Sequence, residues 1–231
     1  MLRILGVVPA RGGSKRIPRK NLQEIEGVPL VVRAMNSARQ AARLTRWVVS
    51  SEDPEILALA RSMGQVYALE RPDDLAGDLV PGWAVLRHAR SVCEATDPPY
   101  DVIVMLPPTA PFRTGEDIDA TISLLEVSGA PSATSVAPVP HDMHPLKMKF
   151  LVNGFLDPVV DVERGRTMVH QLPSVYVRNG AVYASRVAVI ARGQTLDERC
   201  AAYIMPRERS VDVNEPIDLE LARLMAARGL A

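Results

Sequence analysis

The chain has 231 residues, 47% of them hydrophobic and 23% charged, close to globular averages, which excludes a fibrous or intrinsically disordered polypeptide. Single cores grow to about 250 residues before splitting, so one domain, or one domain with an appendage, accommodates residues 1–231. Lys plus Arg and Asp plus Glu both number 27, so no global field recruits nucleic acid or an anionic membrane, and any anion site has to be local.

The first segment, Ile4 to Pro9, reads as a strand. Further candidate strands are Trp47 to Ser51, Val66 to Leu69, Val102 to Leu106, Ala133 to Val139, Ala181 to Ala184 and Ala201 to Met205. Between them, Leu30 to Ala42 carries apolar residues near helical spacing, with Pro29 suited to the first turn. Asp53-Pro54-Glu55 opens a second helix and Pro81 to Val92 reads as a third. A fourth begins at Thr114, which can cap, with Glu116 and Asp117 complementing the helix dipole. A last helix follows Asn214-Glu215-Pro216 and ends near Gly229. This alternation predicts an α/β fold, a doubly wound and mostly parallel sheet.

Residues 140–178 break the rhythm. Pro140, Pro145, Pro158 and Pro173 separate short alternating pieces such as Lys147 to Leu151, which predicts a small inserted subdomain of hairpin type, serving as a lid or a dimer contact. No stretch approaches the roughly 18 uncharged apolar residues of a membrane span. Cys93 and Cys200 are far apart and lack metal-ligand spacing, which fits reduced core thiols and a cytoplasmic protein.

The most informative segment runs from Ala10 to Asn21, directly after the first strand. That is the carboxyl edge, where open α/β sheets bind ligands. Gly12 and Gly13, followed by Ser14, allow close backbone approach with N–H groups turned inward, and Arg11, Lys15, Arg16, Arg19 and Lys20 concentrate positive charge. The combination suits a triphosphate, although a basic turn of this kind can also be simply solvated. It lacks both the Gly-Lys-Ser/Thr ending of a P-loop and the three spaced glycines of a dinucleotide site.

The order Pro9-Ala10-Arg11-Gly12-Gly13-Ser14-Lys15-Arg16-Ile17-Pro18-Arg19-Lys20-Asn21 resembles the N-terminal motif of the acylneuraminate cytidylyltransferases, the CMP-sialic acid synthetases and their bacterial relatives for legionaminic and pseudaminic acids. Further matches follow in order at Val49 to Asp53, Arg71 to Ala76, Pro108 to Arg113, His144 to Lys147, Leu172-Pro173 with Asn179 to Tyr183, and Ser210 to Asn214. The resemblance spans essentially the whole chain. It implies a nucleotide-diphospho-sugar transferase-like fold, transfer of CMP from CTP to an anionic acceptor with release of pyrophosphate, and a homodimer formed through the excursion.

By the same resemblance, Arg11, Lys15, Lys20 and Asn21 hold the triphosphate and nucleotide, and Arg71 and Ala76 face the cytosine base. A salt bridge from Arg71 to Asp73 or Asp74 is the competing reading. Asp212 is implied to hold Mg²⁺, with Asn214 standing where the family often has a second Asp; helix capping is the alternative for both residues. Lys147, Arg178 and Tyr183, with Lys149 as a further candidate, are left to hold the acceptor.

The departures from the family concern that acceptor. Pro107 stands where sialic acid users usually carry a Gln, and Val169-His170 stand where they carry Arg-Gln. Unpaired sugar hydroxyls are costly to bury, on the order of 1–3 kcal/mol each. A nonulosonic acid and a compact acid such as phosphonoformate therefore stand level as acceptors. A catalytically idle nucleotide-binding or regulatory protein of the same fold is the alternative outside the enzyme class.

Overall fold

The computed structural model describes residues 2–64, 67–160 and 173–231. The first half of the chain lays down β1 (Ile4–Pro9), a two-residue ribbon of β2 (Glu24–Ile25) and β3 (Val28–Pro29), α1 (Leu30–Gln40), β4 (Arg46–Ser51), α2 (Pro54–Ser62), β5 (Tyr67–Glu70), α3 (Gly82–Glu94) and β6 (Val102–Met105). The second half adds α4 (Gly115–Ser128), β7 (Ser132–Pro138), the hairpin β8 (Lys149–Val152) and β9 (Phe155–Pro158), β10 (Tyr176–Arg186), α5 (Val187–Ala191), β11 (Cys200–Ile204) and α6 (Pro216–Ala227).

Seven strands form the central sheet in the order β11-β7-β10-β6-β1-β4-β5. β1 runs parallel to β4 and β6, and β7 parallel to β11. β10 alone is antiparallel, to both β6 and β7. The strand expected over Ala181 to Ala184 thus begins at Tyr176 and runs against its neighbours. A strand that returns on the edge where the previous one ended needs no crossover helix, so the long excursion after β7 delivers β10 in the reverse direction.

Period-two alternation assigns the two faces. Ile4 and Val8 of β1, Val49 of β4 and Val104 of β6 pack with Met35 of α1, Ile56 of α2 and Ile122 of α4. Leu5, Val7, Val48 and Ile103 point the other way and pack with Leu86 and Cys93 of α3 and Ile190 of α5. With both faces covered, the central strands are apolar runs, each fully buried Leu or Ile contributing about 1.5–3 kcal/mol. Helix starts follow local chemistry: the Asp53 carboxylate accepts from Glu55 N at 2.8 Å, and Thr114 and Asp117 form a capping box.

Between β7 and β10, two 3₁₀ turns (His141–Met143 and Pro145–Lys147) precede the β8–β9 hairpin. Residues 161–172 lie outside the described residues, and with them Val169, His170 and the Leu172 motif position. Neither layer of helices covers the hairpin, and Phe150, Leu151, Phe155 and Leu156 are all exposed.

Candidate active site

Parallel strands end together, and the loop after β1, the turn after β5 and the turn after β6 converge at that common edge. They enclose a cleft of about 570 Å³. Arg11, Ser14, Lys15, Arg16, Lys20 and Asn21 line it from the β1 loop, Arg71 and Asp78 from the β5 side, and Met105, Pro107 and Thr109 from β6 and its turn. Asn214 closes the remaining side. The cleft thus gathers five cations (Arg11, Lys15, Arg16, Lys20 and Arg71) against one carboxylate, Asp78, an electropositive basin in a neutral protein.

Arg11 and Lys15 converge on that carboxylate. Arg11 Nη1 pairs with Asp78 Oδ1, and Lys15 Nζ lies 2.5 Å from Oδ2. Hydrogen bonds from Lys15 and then Arg11 hold the Asp78 carboxyl below its ordinary range. Sequence reasoning missed Asp78, because nothing local distinguishes it from the acids at 73 and 74.

The loop is held from beneath. Asn21 is buried, and its amide donates to Arg11 O at 2.8 Å, fixing the turn that presents the Arg11 side chain. Gly12 departs from expectation: its N–H is taken by Glu52 Oε1 at 2.7 Å. A Cβ built on Gly12 would fall 2.9 Å from Asp53 Cβ, so the close approach that requires glycine is to the start of α2. A Cβ on Gly13 would meet nothing. Neither glycine lines the cleft, whereas Ser14 does.

Lys20 reaches across to the other end of the chain. Its ammonium donates to Val213 O at 2.9 Å, and burial lowers its pKa, with Asp212 opposing and Arg11 and Arg16 reinforcing that shift. Val213 N in turn donates to Thr109 O at 2.8 Å. These two bonds clamp residues 212–214 between the β1 loop and the β6 turn.

Asp212 lies in this clamp. Its Oδ2 accepts from Asn214 Nδ2 at 2.8 Å, while Oδ1 is buried with no partner among the described residues. The helix-capping alternative does not describe these side chains. Asp218 receives the backbone N–H groups of Asn214 and Glu215 at the start of α6.

Arg71 is almost fully buried and anchored to the end of β4, Nε donating to Ser50 Oγ at 3.1 Å and Nη2 to Ser50 O at 2.6 Å. Burial lowers its pKa. Among the described residues it pairs with neither Asp73 nor Asp74. Ala76 closes the 3₁₀ turn over Asp73–Leu75 through its own N–H, and its neighbours Leu75 and Gly77, rather than Ala76, line the cleft.

The three residues left for an acceptor separate in space. Tyr183 and Arg178 both belong to β10, either side of its register shift, and burial raises the Tyr183 phenol above its ordinary pKa, with the Asp212 carboxylate adding to the shift and Arg178 opposing it. Lys147 lies apart in the excursion, its ammonium 2.8 Å from His141 Nδ1. Lys149 is exposed on β8. Pro107 does line the cleft without a side-chain donor, its carbonyl accepting from Arg113 Nη1 at 2.9 Å. Arg113 is buried and also donates to Ala181 O at 2.8 Å, and burial brings its pKa down to about 9.

Comparison with known proteins places the chain in a family. The family model described as Cytidylyltransferase matches residues 5–153. The CMP-N,N'-diacetyllegionaminic acid synthase of Legionella pneumophila is 28% identical, covering 95% of this chain and 94% of its own length. A pseudaminic acid cytidylyltransferase of Campylobacter jejuni is 25% identical, covering 96% and 95%. In fold, the chain is similar to the CMP:2-keto-3-deoxy-manno-octonic acid synthetase complexed with CTP, with a TM-score of 0.71 at 20% identity over 98% of this chain and 99% of that one. No helix among the described residues is long and apolar enough to cross a membrane. The chain belongs to the cytidylyltransferase family, is acylneuraminate cytidylyltransferase-like within it, and is a nucleotidyltransferase.

Proposed function

We propose that this enzyme is a Mg²⁺-dependent cytidylyltransferase that moves CMP from CTP to a keto-deoxy sugar acid and releases pyrophosphate. The observation that carries the reading is the convergence of Arg11 and Lys15 on one carboxylate inside a five-cation cleft. Two cations already arranged around an internal anion are arranged for a phosphate, since arginine and lysine stabilise either group through charge-assisted hydrogen bonds.

On this reading CTP displaces Asp78, and Arg11 and Lys15 pass to the β- and γ-phosphates. Lys20 turns from the Val213 carbonyl to the α-phosphate, where negative charge builds as the acceptor hydroxyl attacks phosphorus and the bond to the pyrophosphate oxygen breaks. Arg71, already fixed by Ser50, reads the pyrimidine edge alongside the turn at Ala76. Asp212 would hold the metal, its carboxylate oriented by the hydrogen bond that Asn214 donates to Oδ2. A buried carboxylate oxygen with no other partner among the described residues suits a hard cation that takes oxygen ligands. The chemistry such an ion supplies is charge neutralisation across the phosphate oxygens. Arg178 pairs the acceptor carboxylate, and the Tyr183 phenol, kept protonated by burial, donates a hydrogen bond to it. Lys147 meets the acceptor from the excursion. The exposed apolar hairpin β8–β9 is the homodimer contact, since free apolar surface of that extent marks an interaction face.

The relatives' activities, on legionaminic and pseudaminic acids, support a sugar acid as acceptor. One feature favours the compact acid phosphonoformate instead: Pro107 lines the cleft and offers a sugar hydroxyl no side-chain partner. Incubating the protein with CTP, Mg²⁺ and a panel containing N-acetylneuraminate, legionaminate, pseudaminate, 3-deoxy-manno-octulosonate and phosphonoformate, and weighing the CMP conjugates, decides between them. A sugar-acid conjugate is expected, with Arg178→Ala raising the KM of the acceptor and leaving that of CTP unchanged. Turnover of phosphonoformate alone would reverse the choice, and absence of pyrophosphate release with every acid would leave only nucleotide binding.

A further inference from the structure

We infer that the Asn179–Gly180 irregularity in β10 is the positioning element of the Asp212 carboxylate. The inference rests on the reading of Asp212 as the Mg²⁺ ligand. β10 follows β7 in register up to Arg178 and resumes it at Tyr183, with the register shifted between them. Within that shift Gly180 has a φ of +73°, a conformation that favours glycine. A Cβ built there would stand 2.9 Å from Asp212 Cγ and Oδ2 and 3.1 Å from Oδ1. The Asp212 carboxylate therefore fills the space that a side chain at 180 would occupy.

Asn179 supplies the other half of the device. It is buried, its Oδ1 accepting from Ser135 Oγ at 2.7 Å and its Nδ2 donating to Ser210 Oγ at 2.9 Å. Ser210 lies two residues before Asp212, so the asparagine ties β7 to the segment that carries the carboxylate. One residue fixes the height of that segment over the sheet and the next removes the obstruction beneath it. The result leaves Oδ1 buried without another partner, the state in which a carboxylate oxygen is reserved for a cation.

The test measures Mn²⁺ affinity of the full chain saturated with CTP, by electron paramagnetic resonance without acceptor, alongside thermal unfolding. Gly180→Ala is expected to weaken Mn²⁺ binding at least about tenfold, the size of effect that ligand-orienting neighbours exert. Gly129→Ala is the control. Gly129 has a φ of +62° at the end of α4, and a Cβ there meets nothing, so that variant carries similar backbone strain and keeps wild-type Mn²⁺ affinity. In an Asp212→Ala background the collision is gone, and Gly180→Ala should then lower Tm by no more than Gly129→Ala does in the wild-type protein. If Gly180→Ala alone fails to fold, recovery of folding in the Gly180→Ala/Asp212→Ala chain supports the inference, and failure to recover overturns it. Mn²⁺ affinity of Gly180→Ala within about twofold of wild type overturns it as well, that change lying below the effect expected of an orienting neighbour. Equal affinity in wild type and Asp212→Asn refutes the Asp212 assignment itself, and this inference with it.

Discussion

Lys20 and Val213, 193 positions apart, are joined by a 2.9 Å hydrogen bond from ammonium to backbone carbonyl. The bond brings the loop after the first strand against the segment before the last helix, so both sides of the cleft meet at one cation. Removing the cation loosens the seam and, on the proposed reading, removes the α-phosphate contact. Lys20→Ala is expected to lower turnover at least about tenfold, since each 1.4 kcal/mol of lost transition-state stabilisation costs that much. Steady-state kinetics at saturating CTP check it, and wild-type kcat would refute the role.

Asp78 pairs with both Arg11 and Lys15, and on the proposed reading it competes with the nucleotide for them. Asp78→Asn removes the competing charge, and the Kd for CTP is expected to fall about two- to fivefold, the scale of a partly exposed ion pair. Because the competing pair is screened by salt, the advantage should shrink between low and high ionic strength. Calorimetric titration of CTP at two salt concentrations reads both effects. Weaker CTP binding in the variant would show that Asp78 assists the nucleotide.

Asp212→Asn keeps the shape of the side chain and removes its charge, so Mg²⁺ dependence should shift to far higher concentrations with most activity lost. Asn214→Asp should be tolerated or tighten the metal, because it adds a charge beside the carboxylate that Asn214 now orients. Mg²⁺ titrations of initial rate distinguish the two variants. Full activity of Asp212→Asn at low Mg²⁺ would remove Asp212 from the site.

Asp117, whose side chain is fully buried, joins the Thr114 cap to Arg209, which donates to it at 2.7 Å. Burial alone would raise its pKa; hydrogen bonds from Arg209 and Thr114 outweigh that and lower it. A folded pKa below the unfolded value of about 3.9 makes this stability complete above that pH and lost as pH falls through the folded value. Asp117→Asn should cost about 2–4 kcal/mol at pH 7, and the gap from wild type should narrow below about pH 4. Thermal melts across pH 3 to 7 check the slope; a constant gap would assign the cost to packing alone.

What the sequence revealed divides along the range of the interactions involved. Asp53 and Thr114 were legible as caps because a cap is made within three residues. The Arg11 to Asn21 loop was legible because charge and glycine coincided immediately after a strand, and four of its basic residues do line the cleft. The packing constraint on Gly12 was not legible because it comes from Glu52 and Asp53, some forty residues away. Asp78, Arg113 and the reversed direction of β10 were not legible, since each is defined by partners that only the fold brings near. Asn214 looked equally like a cap or a ligand, and the bond its amide donates to Asp212, which sets the cap reading aside, is visible only in the fold.

The reversed direction of β10 has a consequence for how such enzymes diversify. β7 ends at Pro138 and β10 begins at Tyr176 on the same edge of the sheet, the edge that carries the nucleotide loop. The intervening stretch therefore leaves and re-enters the scaffold at two adjacent points. Its length can change without rethreading a single strand, at a closure cost that rises by only about 0.6 kcal/mol per doubling. Arg11 and Arg71 are set by partners in the first half of the chain, and Lys20 by Val213 beyond the excursion. On the proposed reading, exchange of one loop module would retarget the enzyme to a new acid while its handling of the nucleotide is inherited intact.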